Sequence, residues 1–283
     1  MNLKRNSYLE AYLKAHPENE RLISVFNFFA EYSDSDSDLE AIVGGILRNA
    51  LDEVIDMPRT NRYSIDELEK TEKTYIGTKV EIVFRDTFGL GKGRKLDLLI
   101  GEKEVDVKNT IGSNWTIPSE AVDEICILLL SNDSKSFFQF GLIICRDRVL
   151  NKGKNRDGKR TISKEGKNEI LWLVKDGQLP RNFFLHLSDS ARREILEPRG
   201  GSTRLANLFR RFQNELIGRR LVECVAQQKD YMKRIRGNGG ARDILALEGL
   251  TVLWGGNRED KAKLENLGFT GVTTEHFVCV SDS

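Results

Sequence analysis

The stretch KLDLLIGEKEVDVKNT, residues 95–110, is the part of the sequence that indicates the fold most clearly. Two short runs of apolar or alternating residues flank residues 101–103, and this pattern predicts two antiparallel strands joined by a tight turn. Asp97 lies on the first strand, and Asp106 and Lys108 lie on the second. The hairpin is therefore either an ordinary amphipathic surface element or a place where three charged side chains converge.

The alternation of side chains along a strand predicts which of these charges share a face. Val105 and Val107 point to one face of the second strand. The other face carries Glu104, Asp106 and Lys108. Two carboxylates that approach each other repel unless a cation bridges them, and hard oxygen ligands suit Mg²⁺. A neighbouring lysine can orient the attacking water and offset charge that develops on a phosphate group.

An acidic residue two positions before a lysine is weak evidence by itself, because this pattern occurs five times in the chain. Only the match at Asp106 and Lys108 lies between apolar strand residues. The preceding run LDLLI is nearly all apolar, as expected of a buried central strand. Glu81, on the preceding helix, is placed to supply a third carboxylate. The alternative that the residues leave open is an exposed hairpin whose charges form surface ion pairs.

The elements around the hairpin predict a mixed α/β sheet that is covered by helices. Residues 39–55 have apolar side chains at helical spacing, with N-cap candidates in the Ser-Asp run at 33–38. A second helical region starts at Ser64, where SIDE matches a capping box, and continues after a break. The other predictions here are a helix at 117–131 and strands at 136–145, 169–174 and 183–187.

The pattern breaks at Gly177 and Pro180, which predicts a domain boundary between residues 177 and 178. Beyond it the chain becomes helical and basic. Ile244, Leu245 and Leu247 are expected to pack inward. The predicted elements are helical stretches at 202–219 and 219–236, a short helix between Asn238 and Gly249, and a strand at 250–256.

Charge is distributed very unevenly along a chain whose net charge is only +1. Residues 1–75 carry 9 Lys and Arg against 15 Asp and Glu, whereas residues 146–242 carry 24 against 11. A segment this basic favours a polyanionic partner, because Lys and Arg that neutralise phosphates release condensed counterions.

The sequence also excludes some classes of protein. No apolar run approaches the roughly 20 residues that a bilayer span requires, and the polar N-terminus does not match a signal peptide. The four cysteines are far apart and form no CxxC pair, which predicts free, buried thiols and a reducing cytoplasm.

The order of the segments resembles that of the PD-(D/E)xK nuclease superfamily, and more closely the NaeI-like type IIE restriction endonucleases. The resemblance spans about residues 51–249. It is carried by IPSEAVDEICILLL, NRDGKRTIS and AQQKDYMKRIRGNGGARDILALEG as well as by the hairpin. It implies an endonuclease domain at residues 1–177 and a winged helix-turn-helix domain of the CAP-like type at residues 178–283.

The same resemblance implies roles for individual residues. Asp97 and Asp106 match the metal-binding acids, Lys108 matches the catalytic lysine, and Glu81 matches a helix carboxylate that supports the metal. The Val107 carbonyl would complete the protein ligands of Mg²⁺. The proline that usually precedes the first aspartate is Leu96 here, a position that varies within the superfamily.

Two basic segments are predicted to contact DNA. The first is the Gly- and Asn-containing loop between Arg146 and Lys167, which carries nine Lys and Arg. The second lies in the predicted C-terminal helices. A solvated surface loop and a helical dimerisation domain are the respective alternatives. The candidate residues are Lys152, Lys154, Arg156, Lys159 and Arg160 in the loop, and Lys233, Arg234, Arg236 and Arg242 in the helices.

The expected function is that of a Mg²⁺-dependent, sequence-specific endonuclease of the bacterial cytoplasm that cuts double-stranded DNA, leaving 5′-phosphate and 3′-hydroxyl ends. Cutting both strands of a symmetric site requires two active sites, so a homodimer is expected. The resemblance further implies that a second DNA copy binds the C-terminal domain and raises cleavage. One alternative is a repair-type nicking endonuclease on the same fold. The other is a winged-helix regulator with an inactive nuclease-like domain.

Overall fold

The computed structural model describes residues 3–32, 39–228 and 230–282. The Ser-Asp run that is expected to cap a helix lies outside these residues. The chain forms two compact units. The first comprises Met1–Val54 and Leu68–Asn182, and the second comprises Ile55–Glu67 and Phe183–Ser283.

The α-helices, in chain order, are α1 Leu3–Ala15, α2 Ile23–Glu31, α3 Leu39–Ile55, α4 Met57–Thr60, α5 Lys70–Thr87, α6 Asp189–Leu196, α7 Gly201–Arg211, α8 Arg219–Ala226, α9 Tyr231–Ile235, α10 Ala241–Ala246 and α11 Arg258–Asn266. The strands are β1 Leu98–Ile100, β2 Lys103–Thr110, β3 Thr116–Ile117, β4 Ile125–Asn132, β5 Phe137–Ile144, β6 Arg160–Thr161, β7 Leu171–Gln178, β8 Ile217–Gly218, β9 Leu250–Trp254 and β10 His276–Ser281. Short 3-10 helices occupy Pro17–Leu22, Ile65–Glu67, Ser119–Ala121, Asp147–Val149 and Gly166–Glu169.

A five-stranded mixed sheet forms the centre of the first unit, with the order β1-β2-β4-β5-β7. Strands β2 and β4 run parallel, and the other neighbours are antiparallel. Helix α5 packs on β2. This arrangement confirms the predicted mixed α/β architecture and is compatible with a restriction-endonuclease fold.

The hairpin that the sequence predicts is formed by β1 and β2, with Leu98 opposite Val105 and Ile100 opposite Lys103. Gly101, in the turn, has a φ of +58°, which glycine adopts without steric cost. The expectation that LDLLI is a central strand is wrong. Strand β1 has three residues at the sheet edge, and Leu99 is 37% exposed there. Apolar content alone does not distinguish an edge strand from a central one.

The predicted helix at 117–131 is also wrong, because residues 125–131 belong to β4, the middle strand of the sheet, and only a 3-10 turn at Ser119–Ala121 precedes them. Its apolar run is continuous because both faces of the strand are covered, and a short continuous run carries no helical or strand period. On one face Cys126 and Leu128 pack into a cluster with Trp115.

Helix α5 begins later than the capping box at Ser64 predicts. The Glu67 carboxylate does accept the Ser64 backbone N–H at 2.7 Å, but the turn it closes is a 3-10 helix. The α-helix then starts at Lys70, where the Glu72 carboxylate accepts the Glu69 N–H at 2.8 Å. The expected break between the two helical parts is confirmed.

The second unit contains α6 to α11 and a three-stranded sheet of order β8-β10-β9. The strand predicted at 183–187 is wrong: residues 183–186 form a turn, in which the Phe184 ring stacks on Tyr63. The inward packing expected of Leu247 is wrong as well. Leu247 follows the end of α10 and is 91% exposed, whereas Leu245 is fully buried.

All four cysteines are free thiols, and three of them are buried, as the sequence predicts. None of the helices in the described ranges combines the length and the apolar character that a bilayer crossing needs.

Candidate active site

The hairpin brings Asp97, Asp106 and Lys108 together. The Lys108 Nζ atom lies 2.7 Å from Asp106 Oδ2 and 3.5 Å from Asp97 Oδ2. The convergence that strand alternation predicts is therefore present in the fold, and these are not dispersed surface charges.

The side chain of Asp97 is held by a hydrogen bond from the backbone of β2, outside the regular β1–β2 pairing. It lies one residue before β1, where the pairing with β2 has ended. Its Oδ2 atom accepts the Val107 backbone N–H at 2.8 Å. This bond takes the place of a ladder bond and fixes the carboxylate beside Asp106.

Asp106 is a buried carboxylate, with only 4% of the residue exposed. The pKa of Asp106 is raised to about 7, mainly because burial disfavours the charged form; the Lys108 ammonium lowers the pKa, and the hydrogen bond and charge of Asp97 raise it. When ionised, this carboxylate is stabilised by the Lys108 ammonium at 2.7 Å, and a bound cation would stabilise its charge further.

The Lys108 ammonium is surrounded by oxygen atoms. Besides the two carboxylates it contacts the Val107 carbonyl oxygen at 3.1 Å. Burial alone would lower the pKa of Lys108, but the charge and hydrogen bond of Asp106, together with the charge of Asp97, outweigh burial, and the pKa is raised. The ammonium thus lies among the same three oxygen atoms that the sequence predicts as ligands of Mg²⁺.

Glu81 lies on α5 beside this group and is half-buried. Its Oε1 atom accepts a hydrogen bond from Arg85 Nη1 at 3.1 Å. Burial raises the pKa of Glu81, and the nearby negative charge of Asp97 raises it further. Its charge therefore interacts with the site, while its hydrogen bond is made within its own helix.

Cys126 is a further neighbour that the sequence did not indicate. Cys126 lies on β4, directly opposite Asp106 on β2. Its thiol donates to Asp106 Oδ2 at 3.8 Å. The signal was hidden because the sequence predicted a helix here, and only the parallel pairing of β2 with β4 brings the two residues together.

Within the described residues, one group of three potential metal-ligating side chains lies within 4.8 Å: His16, Glu18 and Glu169. Arg148 Nη2 donates to Glu18 and, at 2.7 Å, to Glu169. A guanidinium therefore already neutralises both carboxylates. Glu81 does not complete such a group with Asp97 and Asp106.

The basic loop contains a tight turn at residues 155–158, where the Gly158 N–H donates to the Asn155 carbonyl oxygen at 3.0 Å. Asn155 organises it, because its Oδ1 atom accepts the backbone N–H groups of Asp157 at 3.0 Å and Lys159 at 2.9 Å. Arg160 differs from the rest, since it is paired with Asp147 at 2.7 Å and is mostly buried. The exposed candidates are Lys152, Lys154, Arg156 and Lys159.

The basic candidates of the second unit also differ in exposure. Lys233 and Arg236 are exposed, although Lys233 lies 3.5 Å from Asp230. Arg234 donates to the Gln228 side chain, and Arg242 pairs with Asp260 at 3.1 Å. Each of these two arginines would have to break its contact with Gln228 or Asp260 before it could bind a phosphate.

The arrangement of the site fits a divalent cation. Oxygen atoms of two carboxylates and one carbonyl already surround the Lys108 ammonium. Mg²⁺ prefers oxygen atoms of this kind as ligands. A lysine next to such a cation is placed to act on a water molecule or a phosphate oxygen. This chemistry is that of metal-assisted phosphodiester hydrolysis.

Comparison with known proteins shows the family to which the chain belongs. The family model described as restriction endonuclease NaeI matches residues 30–281. The chain is also similar to the type II restriction enzyme NaeI of Lentzea aerocolonigenes, with 35% identity over 257 residues, which cover 83% of this chain and 80% of that protein. The predicted resemblance is thereby confirmed, and the chain belongs to the NaeI restriction endonuclease family.

Proposed function

We propose that this protein is a Mg²⁺-dependent type II restriction endonuclease whose active site consists of Asp97, Asp106 and Lys108. Family membership supports the sequence-specific cleavage of DNA. The observation that carries the site assignment is the Lys108 ammonium, which lies within 3.5 Å of oxygen atoms of Asp97, Asp106 and Val107. A surface ion pair would not require a nearly fully buried aspartate.

Asp97, Asp106 and the Val107 carbonyl would hold the cation. Bound Mg²⁺ supplies Lewis acidity toward the phosphate and lowers the pKa of water. Lys108 orients the attacking water and stabilises negative charge on the phosphate oxygens. Glu81 adds negative charge at the margin of the site. The products of this reaction are a 5′-phosphate and a 3′-hydroxyl.

The second unit is proposed to be a winged helix-turn-helix domain. Its support is the order of elements: α7, β8, α8, α9 and α10 precede β9, which pairs with β10 in a three-stranded sheet. The chain between β9 and β10 contains α11 and is therefore longer than a simple wing. In this proposal the exposed Lys233 and Arg236 contact phosphates of a second DNA copy, which acts as an effector.

Homodimerisation belongs to the same proposal, since each protomer would cut one strand of a symmetric site. The loop with Lys152, Lys154, Arg156 and Lys159 would contact the DNA near the cut, with Arg160 anchoring it. Free thiols, three of them buried, suit the reducing bacterial cytoplasm, where such an enzyme would act.

The test is cleavage of supercoiled plasmid DNA by the purified protein with Mg²⁺ and with EDTA. Asp106→Ala and Lys108→Ala are each expected to slow cleavage by roughly a hundredfold or more, as for other groups that stabilise transition-state charge. Lys135→Ala is the matched control. It removes the lysine of another acidic-x-Lys triplet in the same unit, and Lys135 is exposed at the turn between β4 and β5.

The products distinguish the alternatives. Linear fragments with fixed ends support the restriction enzyme, whereas accumulation of nicked circles would indicate a nicking endonuclease. Binding in EDTA without any cleavage in Mg²⁺ would indicate an inactive, regulatory protein. Cleavage by both variants at the rate of the parent would refute the assignment of the site.

A further inference from the structure

The segment that leads into Asp97 makes an unusual set of backbone contacts. The regular pairing of β1 with β2 extends only from Leu98 to Ile100. Before it, the backbone N–H groups of residues 94–96 all donate to one carboxylate, that of Glu104 on β2. The distances are 3.0 Å from Arg94, 2.8 Å from Lys95 and 2.9 Å from Leu96.

These bonds connect directly to the proposed metal site. Leu96 is the residue before Asp97, whose carboxylate accepts the Val107 N–H at 2.8 Å. Two sets of hydrogen bonds therefore connect β2 with this part of the chain. A β2 side chain binds the backbone of the segment, and a side chain of the segment binds the backbone of β2.

The segment and the chain before it make other contacts as well: the Lys95 ammonium lies 2.9 Å from Glu124 Oε1, and Gly91 forms a β-bridge with Leu99. The stretch before the segment contains three glycines, and an added Cβ at Gly93 would lie 2.5 Å from the Leu96 carbonyl oxygen. Gly89 has a φ of +60°. The three N–H groups converge on the two oxygen atoms of this one carboxylate, at distances of 2.8 to 3.0 Å. Hydrogen bonds to an ionised acceptor are stronger than neutral ones.

We propose that Glu104 is a positioning residue that fixes the orientation of Asp97 for metal binding. It does so through the backbone of residues 94–96 and without contacting the metal or the DNA itself. This inference rests on the proposed role of Asp97 as a metal ligand. Groups that orient the ligands of a metal commonly change its affinity by about tenfold or more when they are removed.

The experiment compares Glu104→Ala and Glu104→Gln with Glu102→Ala in the full-length protein. Glu102 is an exposed carboxylate in the turn of the same hairpin, which makes it a matched control. The Gln variant can keep the two bonds that one oxygen of Glu104 accepts, from Lys95 and Leu96. Three quantities are measured: Mg²⁺ affinity by calorimetry without DNA, the Mg²⁺ concentration at half-maximal cleavage, and DNA affinity in EDTA.

For Glu104→Ala we expect Mg²⁺ affinity to fall and the half-maximal Mg²⁺ concentration to rise, each by about tenfold. Glu104→Gln should show a smaller change of about threefold, and Glu102→Ala none. DNA affinity should stay within about twofold of the parent, and saturating Mg²⁺ should restore most of the cleavage rate, because only the metal site is loosened.

Two results would overturn the proposal. One is an unchanged Mg²⁺ dependence in Glu104→Ala. The other is a parallel loss of DNA affinity and cleavage in both Glu104 variants that excess Mg²⁺ does not restore, which would mark a purely structural role. Asp97→Ala separates this question from the function itself: if that variant cleaves normally, the proposed function fails, whatever Glu104 does.

Discussion

The Nζ atom of Lys108 lies 2.7 Å from Asp106 Oδ2, on the same strand and on the same face. Burial leaves Asp106 poorly solvated, and the ammonium is the positive group that stabilises its charge in the absence of a metal. A divalent cation bound to the oxygen atoms of Asp97 and Asp106 would be repelled by the Lys108 ammonium. In the proposed mechanism Lys108 would therefore have two opposing roles: it would assist the reaction, and it would compete with the cation.

This competition predicts that Lys108→Ala binds Mg²⁺ more tightly than the parent, although it cleaves poorly. Removing one positive charge near the ligands should increase affinity by about tenfold, or about 1.4 kcal/mol. Calorimetric titration with Mg²⁺ at pH 8, without DNA, measures it, and Lys135→Ala should bind like the parent. Equal or weaker binding by Lys108→Ala would contradict the competition.

Asp106 also predicts how stability changes with pH. Its folded-state pKa of about 7 lies above the ordinary value of 3.8, so the folded protein keeps a proton that the unfolded chain has lost. Stability should therefore fall as pH rises from about 4 to about 7. In Asp106→Asn this contribution is absent.

The measurement is urea unfolding of both proteins without metal between pH 5 and pH 8. The stability of Asp106→Asn relative to the parent should increase by at most about 3 kcal/mol over this range, since each pKa unit corresponds to about 1.4 kcal/mol. A difference that is the same at every pH would show that Asp106 does not hold the extra proton.

The first unit contains a buried ion pair whose loss should be costly. Arg48 donates through Nη1 to Asp133 and pairs through Nη2 with Asp52 at 2.6 Å, and Asp133 is only 6% exposed. Arg48→Met leaves Asp133 buried without its cation, and we expect a loss of about 3 kcal/mol in the free energy of unfolding. Arg21→Met removes an exposed arginine and should cost less than about 1 kcal/mol. Similar unfolding midpoints for the two variants would count against this account.

In the second unit Arg204 holds the end of α8. It is 5% exposed and donates to the carbonyl oxygens of Val225 at 2.7 Å and Ala226 at 2.5 Å, and also to that of Pro198 at 2.7 Å. Arg204→Met should destabilise the protein by about 2 kcal/mol, because buried carbonyls lose their donors. Denaturant unfolding tests this against Arg193→Met, whose side chain is 63% exposed. The prediction fails if Arg204→Met is as stable as that control.

The exposed loop predicts a change in the salt dependence of DNA binding. Replacing Arg156 and Lys159 by glutamine should reduce the slope of log affinity against log salt by about 0.9 for each phosphate that is no longer neutralised. Binding is measured in EDTA by fluorescence anisotropy. A control with the same charge change, Lys70→Gln with Lys135→Gln, should keep the parental slope. Equal slopes for the two double variants would place the loop away from the DNA.

The local features of the site could be read from the sequence because they depend on neighbouring residues. A period of two around a glycine turn is enough to place Asp106 and Lys108 on one face of a strand and Asp97 on the other strand of the hairpin. The two carboxylates indicated Mg²⁺ as the expected metal, and the family resemblance added the roles of the individual residues.

Other features depended on partners distant in sequence. The run in β4 was predicted to be a helix because a fully covered strand has no polar side to mark its period. That error hid Cys126 opposite Asp106. Likewise the burial that raises the pKa of Asp106 comes from the packing of the sheet and not from its sequence neighbours.

The sequence by itself therefore determined the hairpin, the identity of its charged residues and the family. The tertiary structure decided that β1 is an edge strand, that Lys108 lies among three oxygen atoms and that Glu104 holds the backbone before Asp97. The physical reason is that alternation along a strand is a local property of the backbone. Which groups are desolvated, and which carboxylate meets which donor, depends on how strands and loops pack together.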